Sequence, residues 1–300
     1  MFSKNLESIA IKKAGHTWKW LRSNSAPWFQ NLRRLEDLLN IVIVCLLFFL
    51  PLLEIILRNF FGLPGLYGSE SYSGHLLFIL ALSAGLFTQR HHMHLGLSII
   101  NIHLPRLVQQ ILGSIKLFWA TVILLLIGMA SWVFLQSFTG DELVGEIPLR
   151  LILYWFPISI GLFIARLMLS GPYDSFEEAP LPFLLRIFLV SAGIALAWYL
   201  SQISILHYYI NDIDLPFAEQ EILFDKEHEW FSRFAKIGPW FIGLTLLLFL
   251  FGFPIFLTLG GISYMLFNLN FSQVELIPNA FYTLFTGEGN LNSLPLFAFA

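Results

Sequence analysis

Apolar positions in this chain fall in long, almost unbroken runs separated by short polar stretches. The runs lie at roughly 38–57, 71–89, 117–135, 149–169, 183–206 and 240–266. A helix rising 1.5 Å per residue needs about 20 apolar residues to cross a bilayer core. A hydrocarbon environment also obliges each segment to satisfy its own backbone hydrogen bonds. The pattern therefore predicts an all-α integral membrane protein with about six transmembrane helices. The alternating short segments of a β-barrel are not what the runs show. The second run has a fully apolar part, Leu76 to Phe87, that is short for an isolated crossing, so it is expected to span within a bundle. Ala81 and Gly85 give it a small-xxx-small face for a neighbour.

The polar interruptions organise the rest. Gln89-Arg-His-His-Met-His-Leu-Gly-Leu-Ser-Ile-Ile-Asn-Ile-His-Leu-Pro105 is a basic, histidine-rich elbow. Arg90, His91, His92 and His94 are costly in hydrocarbon, so the elbow marks a point where the chain surfaces. Its second half mixes Leu95, Ile99 and Ile102 with Ser98, Asn101 and His103, which suits a helix lying along the headgroups, and Pro105 starts a new direction. Residues 1–37 combine seven Lys and Arg, among them Arg34, with Trp18, Trp20 and Trp28. That is an interfacial pattern, with a solvated basic tail as the plainer alternative. Within the first run Glu54 and Arg58 stand at i and i+4, placed to pair at the outer interface or, for Glu54, to meet another helix. Gly252 and Pro254 sit inside the sixth run, where a neighbouring helix can re-satisfy the carbonyl that a Pro frees.

Composition sharpens this picture only in places. Of the 300 residues 57% are hydrophobic and 12% charged, which no soluble domain requires. The net charge of −3 is uninformative because the charges lie in blocks of different sign. Assigning alternate connections to opposite faces, with the amino terminus cytoplasmic, puts 12 Lys and Arg inside and five outside, which favours that orientation. The connection at 207–236, rich in Asp and Glu, is then an acidic outer loop. Cys45 is the single cysteine, so no intramolecular disulfide forms, and it reads as a small apolar filler. The amino terminus lacks a short apolar region with a small-residue cleavage site.

Candidate chemistry is sparse. His91, His92 and His94 invite a metal-dependent membrane oxidase, but His16, His75, His103, His207 and His228 are scattered, so the cluster reads as a headgroup-level elbow rather than a metal site. His75, near the start of the second run, reads as an interface residue rather than a ligand. Neither the Gly-x-Ser-x-Gly nucleophile elbow nor the phosphate-cradling Gly-x-x-x-x-Gly-Lys-Ser/Thr loop occurs. The residues themselves leave transport or a non-transporting scaffold as the default.

Around the elbow the sequence resembles the small membrane subunit of tripartite ATP-independent periplasmic (TRAP) transporters. Arg58, Ala81, Gly85, Arg90, His94 and Leu104-Pro105 match that family's pattern, and Glu146-Ile-Pro148 and Tyr154-Trp-Phe-Pro157 resemble the opening and Pro kink of its fourth span. His91 and His92 are extra, and Gly96 stands where the family often has an acidic residue. The likeness covers about residues 30–170. Further on, Leu248-Phe-Leu-Phe-Gly-Phe-Pro-Ile-Phe-Leu-Thr-Leu-Gly260 looks like the first span of the family's large subunit, and Leu291 to Ala300 like its next segment.

The resemblance implies a natural fusion: an interfacial segment at 1–37, a four-span small-subunit domain at 38–172, a linker with one added helix and an acidic periplasmic loop at 173–236, and the start of a large-subunit domain at 237–300. The 300 residues are then expected to be an amino-terminal piece. It implies a non-enzymatic permease component of the bacterial inner membrane, acting in sodium-coupled uptake of organic acids. Its partners would be a periplasmic substrate-binding protein, the remainder of the large subunit and membrane lipid, with no nucleic acid, no metal and no cofactor beyond Na+ as coupling ion. Arg34, Arg58, Arg90, His94, Pro105 and Trp155 would anchor the scaffold, and the substrate-binding residues are expected in the large subunit.

Overall fold

A computed structural model describes residues 27–62, 69–90, 105–137, 143–144, 147–170, 182–212, 217–269, 274 and 276–286. The described chain is all-α apart from a two-residue antiparallel ladder, Leu143–Val144 (β1) with Ile147–Pro148 (β2). The helices are α1 (Pro27–Phe61), α2 (Ser69–Arg90), α3 (Arg106–Ser137), α4 (Leu149–Leu153), α5 (Trp155–Ser170), α6 (Phe183–Asp212), α7 (Phe217–Leu250), α8 (Ile255–Leu269) and α9 (Leu276–Thr286). Six helical segments, Arg34–Phe61, Tyr72–Gln89, Leu107–Gln136, Leu149–Met168, Phe183–Gln202 and Glu221–Leu250, are long and apolar enough to cross a membrane.

The bundle is arranged around α3. Leu117, Ala120, Val122, Ile123 and Leu126 have no exposed surface although they point in all directions around the helix. A helix apolar on every side belongs at a centre. It packs most extensively on α6, and also on α5, α8 and α9. Small residues make those approaches close. A Cβ on Gly193 of α6 would stand 3.2 Å from the Phe118 carbonyl oxygen, and one on Gly261 of α8 would stand 2.7 Å from Ile123 Cδ1. By contrast α1 packs on α2 and exposes Ile41, Phe48, Phe49 and Leu53, a surface that suits lipid.

Two expectations from the sequence change here. The acidic stretch 207–236 is largely helical rather than an open loop, because α6 continues to Asp212 and α7 begins at Phe217, so most of it forms two helical arms. α6 and α7 are joined laterally where the Tyr199 and Trp230 rings meet at 4.7 Å. Along α7 the buried positions Phe234, Gly238, Phe241, Thr245 and Leu248 alternate spacings of four and three, the seam by which its second half packs on the bundle.

The sixth apolar run is also not one crossing. Gly252 takes φ +89°, the Phe253 N–H bonds the Leu248 carbonyl at 3.0 Å, and the Gly252 N–H bonds that of Phe249 at 3.1 Å. These two bonds and the left-handed glycine end α7 in a Schellman cap. Pro254, with no N–H to give α7, starts α8 instead, its carbonyl accepting from Thr258 N–H at 3.0 Å. The stretch 248–260 that resembles one span is thus a helix end, a turn and a helix start.

From that turn α8 runs back along α3. Its Phe256 ring meets Phe163 of α5 at 5.5 Å, and Gly260 and Gly261 cross α3 at Ile127 and Ile123. After Leu269 the next described helix, α9, packs on α2 and α3 near their other ends, Phe281 and Tyr282 lying against Phe78 and Tyr282 against the cluster of Leu135, Leu149 and Leu153. Together α8 and α9 trace a return path in two pieces, of about 22 and 16 Å at 1.5 Å per residue.

Candidate functional site

Charged side chains converge at one end of the bundle. Arg166, near the end of α5, donates from Nη2 to Glu36 Oε2 of α1 and from Nη1 to the Leu86 carbonyl of α2, the latter at 2.6 Å. One turn away Gln89 donates from Nε2 to the Phe163 carbonyl at 3.0 Å, so α2 and α5 exchange two side-chain bonds at this end. The pair is largely enclosed, with side-chain exposures of 21% for Arg166 and 13% for Glu36. Lys116 of α3 and Arg186 of α6 are buried on the two helices that pack most closely. Desolvated charges in a membrane bundle are expensive and persist where they hold helices together or carry function.

The opposite end is held by aromatic packing with few polar contacts. His75 Nε2 of α2 and the Tyr282 hydroxyl of α9 share a hydrogen bond of 2.7 Å, which joins residues 207 positions apart. Phe78, Phe156, Phe281 and Tyr282 pack around it with ring centroids 5.5–6.1 Å apart. Midway, Trp119 donates from Nε1 to Thr245 Oγ1 at 2.9 Å and lies 4.4 Å from the Phe241 ring, which fixes α7 to the central helix.

The anchoring residues expected from the sequence do not form one constellation. Arg34 is exposed at the start of the apolar part of α1. Arg58 pairs with Glu54 at 2.5 Å along α1 and is 61% exposed, so the pair lies on that helix's own surface. Pro105 is exposed, and its carbonyl accepts the Gln109 N–H at 3.1 Å to open α3. Trp155 donates to Ser83 Oγ at 3.2 Å and ties α5 to α2. Arg90 is the last residue of α2. Its side chain, and His91, His92 and His94, lie outside the described residues. The small face expected of Ala81 and Gly85 is not where α2 packs closely: a Cβ on Gly85 meets nothing within 4 Å, whereas Ser83 is buried.

Sequence reasoning passed over Glu36, Gln89, Arg166, Lys116, Arg186 and the His75–Tyr282 contact. Lys116, Arg166 and Arg186 did carry a signal, since each is a lone cation at or inside the edge of an apolar run, where solvation alone does not keep it. Their partners come from other helices and leave no mark in local spacing. Among the described residues no group of three or more His, Cys, Asp or Glu is placed to hold a metal ion. Comparison of the chain with protein-family models, curated proteins and solved structures returned no match.

Proposed function

We propose that this chain is the scaffold portion of a TRAP-type secondary transporter, a permease component for sodium-coupled uptake of organic acids, such as a dicarboxylate or sugar acid, delivered by a periplasmic binding protein at a bacterial inner membrane. The family resemblance supplies the transport class. The observation that carries the scaffold role is the position of α3: helices from the later part of the chain, α6, α8 and α9, all pack on a helix of the first four spans. A central post on which later helices rest suits a part that stays still while others move. Arg34, Arg90 and His94 act in this reading as headgroup-level anchors, and the exposed acidic side chains of α7, including Glu221, Asp225 and Glu229, offer a surface to a basic patch on the binding protein.

The test is uptake by the complete transporter in proteoliposomes. Labelled organic acid should accumulate when both the binding protein and an inward sodium gradient are present, and uptake should weaken with added salt as docking is screened. Accumulation that needs neither sodium nor a binding protein would overturn the assignment. Stoichiometric iron or zinc in the purified protein, lost on replacing His91, His92 and His94 together, would establish a metal enzyme in its place.

A further inference from the structure

We propose that the junction of α1, α2 and α5 holds buried water on both sides of the Glu36–Arg166 pair, one molecule at Asn40 and one at Gln89. Gln89 is 2% exposed, and while its Nε2 bonds the Phe163 carbonyl, its Oε1 is buried with no hydrogen-bond partner. Asn40 has both Oδ1 and Nδ2 in that condition. Buried polar atoms in folded proteins are overwhelmingly satisfied by protein or by ordered water, and an orphan costs its full desolvation penalty.

The chemistry of the orphans selects the ligand. Asn40 lacks both a partner for its donor and a partner for its acceptor. A metal cation cannot accept a hydrogen bond and a simple anion cannot donate one, whereas water does both. The surroundings supply the water's other bonds. Asn40 stands one turn from Glu36 on the same face of α1, and Gln89 one turn from Leu86 on α2. Arg166 bridges Glu36 to the Leu86 carbonyl between them, with a guanidinium of five N–H groups and a carboxylate of several lone pairs to share. Because α1 and α2 are consecutive helices joined by a short connection and packed together, they run antiparallel, which places Asn40 and Gln89 on opposite sides of the ion pair. The pair is then solvated from within, and this lowers the cost of keeping two charges inside the bundle.

The experiment is radiolytic hydroxyl labelling of the full chain in lipid nanodiscs, where radicals formed from bound water modify the side chains it touches. Leu86 and Phe163, 3% and 5% exposed, should be labelled well above the equally enclosed Phe241 and Leu124, also 3% and 5% exposed, and the excess should vanish in Gln89→Leu. Labelling of Leu86 and Phe163 no higher than that of Phe241 and Leu124 overturns the proposal. Asn40→Leu gives an independent sign. If Asn40 holds water, the apolar side chain strands the water's remaining partners and the thermal midpoint falls by roughly 2–4 °C. A midpoint that rises or does not move means that Leu has relieved a bare orphan, and the Asn40 site is wrong.

Discussion

Replacing Arg166 by Met removes the cation that joins α1 to α2 and α5 while keeping most of its apolar stem. The Glu36 carboxylate, 13% exposed, would lose the guanidinium that bonds it. Breaking a buried pair from one side costs about 3–5 kcal/mol, and the partial exposure of both side chains places this pair at the low end of that range. The Leu86 carbonyl also loses a 2.6 Å bond, worth about 1 kcal/mol. Arg166→Met should therefore destabilise the chain by about 3–4 kcal/mol, a drop in the folded-to-unfolded ratio of more than about a hundredfold. Adding Glu36→Gln removes the stranded charge, so the double variant should recover about 2 kcal/mol relative to the single. Arg58→Met is the control, because that guanidinium is 61% exposed and its pair lies on one helix, where such pairs contribute about 0.3–0.5 kcal/mol. Denaturant titration in mixed micelles, followed by far-ultraviolet circular dichroism and tryptophan fluorescence, measures all four proteins. An Arg166→Met loss below about 1 kcal/mol, or a double variant no more stable than the single, would refute a buried clamp at this end.

Other substitutions probe the remaining joints. Gly193→Leu forces a side chain toward the Phe118 carbonyl oxygen and should cost about 1–3 kcal/mol by prising α6 from α3, read as a lowered unfolding midpoint. Gly252→Ala puts a Cβ at φ +89° and should cost about 1–2 kcal/mol in the same assay, whereas a single continuous sixth helix would gain stability from the change. Tyr282→Phe keeps the ring but removes the hydroxyl bonded to His75, so disulfide crosslinking between cysteines placed on α2 and α9 should become slower or less selective. Reporter fusions at residues 175 and 215 should report opposite compartments, since α6 lies between them as one apolar helix. On the proposed transport reading, Arg90→Leu combined with His94→Leu should weaken assembly or uptake, and unchanged levels of both would remove the elbow from the anchoring role.

Hydropathy alone located the crossings because the demand it reports is local: a backbone in hydrocarbon must close its own hydrogen bonds, so length and apolarity suffice. The first five runs accordingly coincide with α1, α2, α3, the α4–α5 pair and α6. Where the chain turns inside an apolar run the same measure is blind. Gly252 and Pro254 lie among Phe251, Phe253 and Ile255, and lipid-like composition continues straight through the Schellman cap. The signal was present in their order, a Gly followed two residues later by a Pro, which reads as a helix stop in any solvent. The acidic stretch that opens α7 misled in the opposite direction, since its charges suggested a loop while the buried positions Phe234, Gly238, Phe241, Thr245 and Leu248 farther along the helix alternate spacings of four and three.

The central place of α3 was hidden for a deeper reason. In water, apolarity ranks helices by burial, but in a membrane lipid and protein interior are nearly equivalent surroundings for a leucine. The comparison of α1 with α3 shows the consequence: Arg34–Phe61 is the more apolar of the two and has almost no fully buried residue, while Leu107–Gln136 is more than half buried. What separates them is the distribution of small and hydroxyl side chains. Ala120, Thr121, Gly128, Ala130 and Ser131 line α3, whereas α1 between Leu38 and Leu57 offers only Cys45. Small side chains let a facing backbone approach, as Thr121 does against Gly193 and Gly128 against Ile160. The clamp residues follow the same logic from the polar side. Arg166 and Gln89 stand at the ends of apolar runs, where either water or a neighbouring helix can satisfy them, and only the packing of α5 against α2 decides that their partners are the carbonyls of Leu86 and Phe163. For a chain of this kind, counting small residues inside apolar runs and cations at their edges locates the centre of the bundle and its joints more directly than adding further hydropathy does.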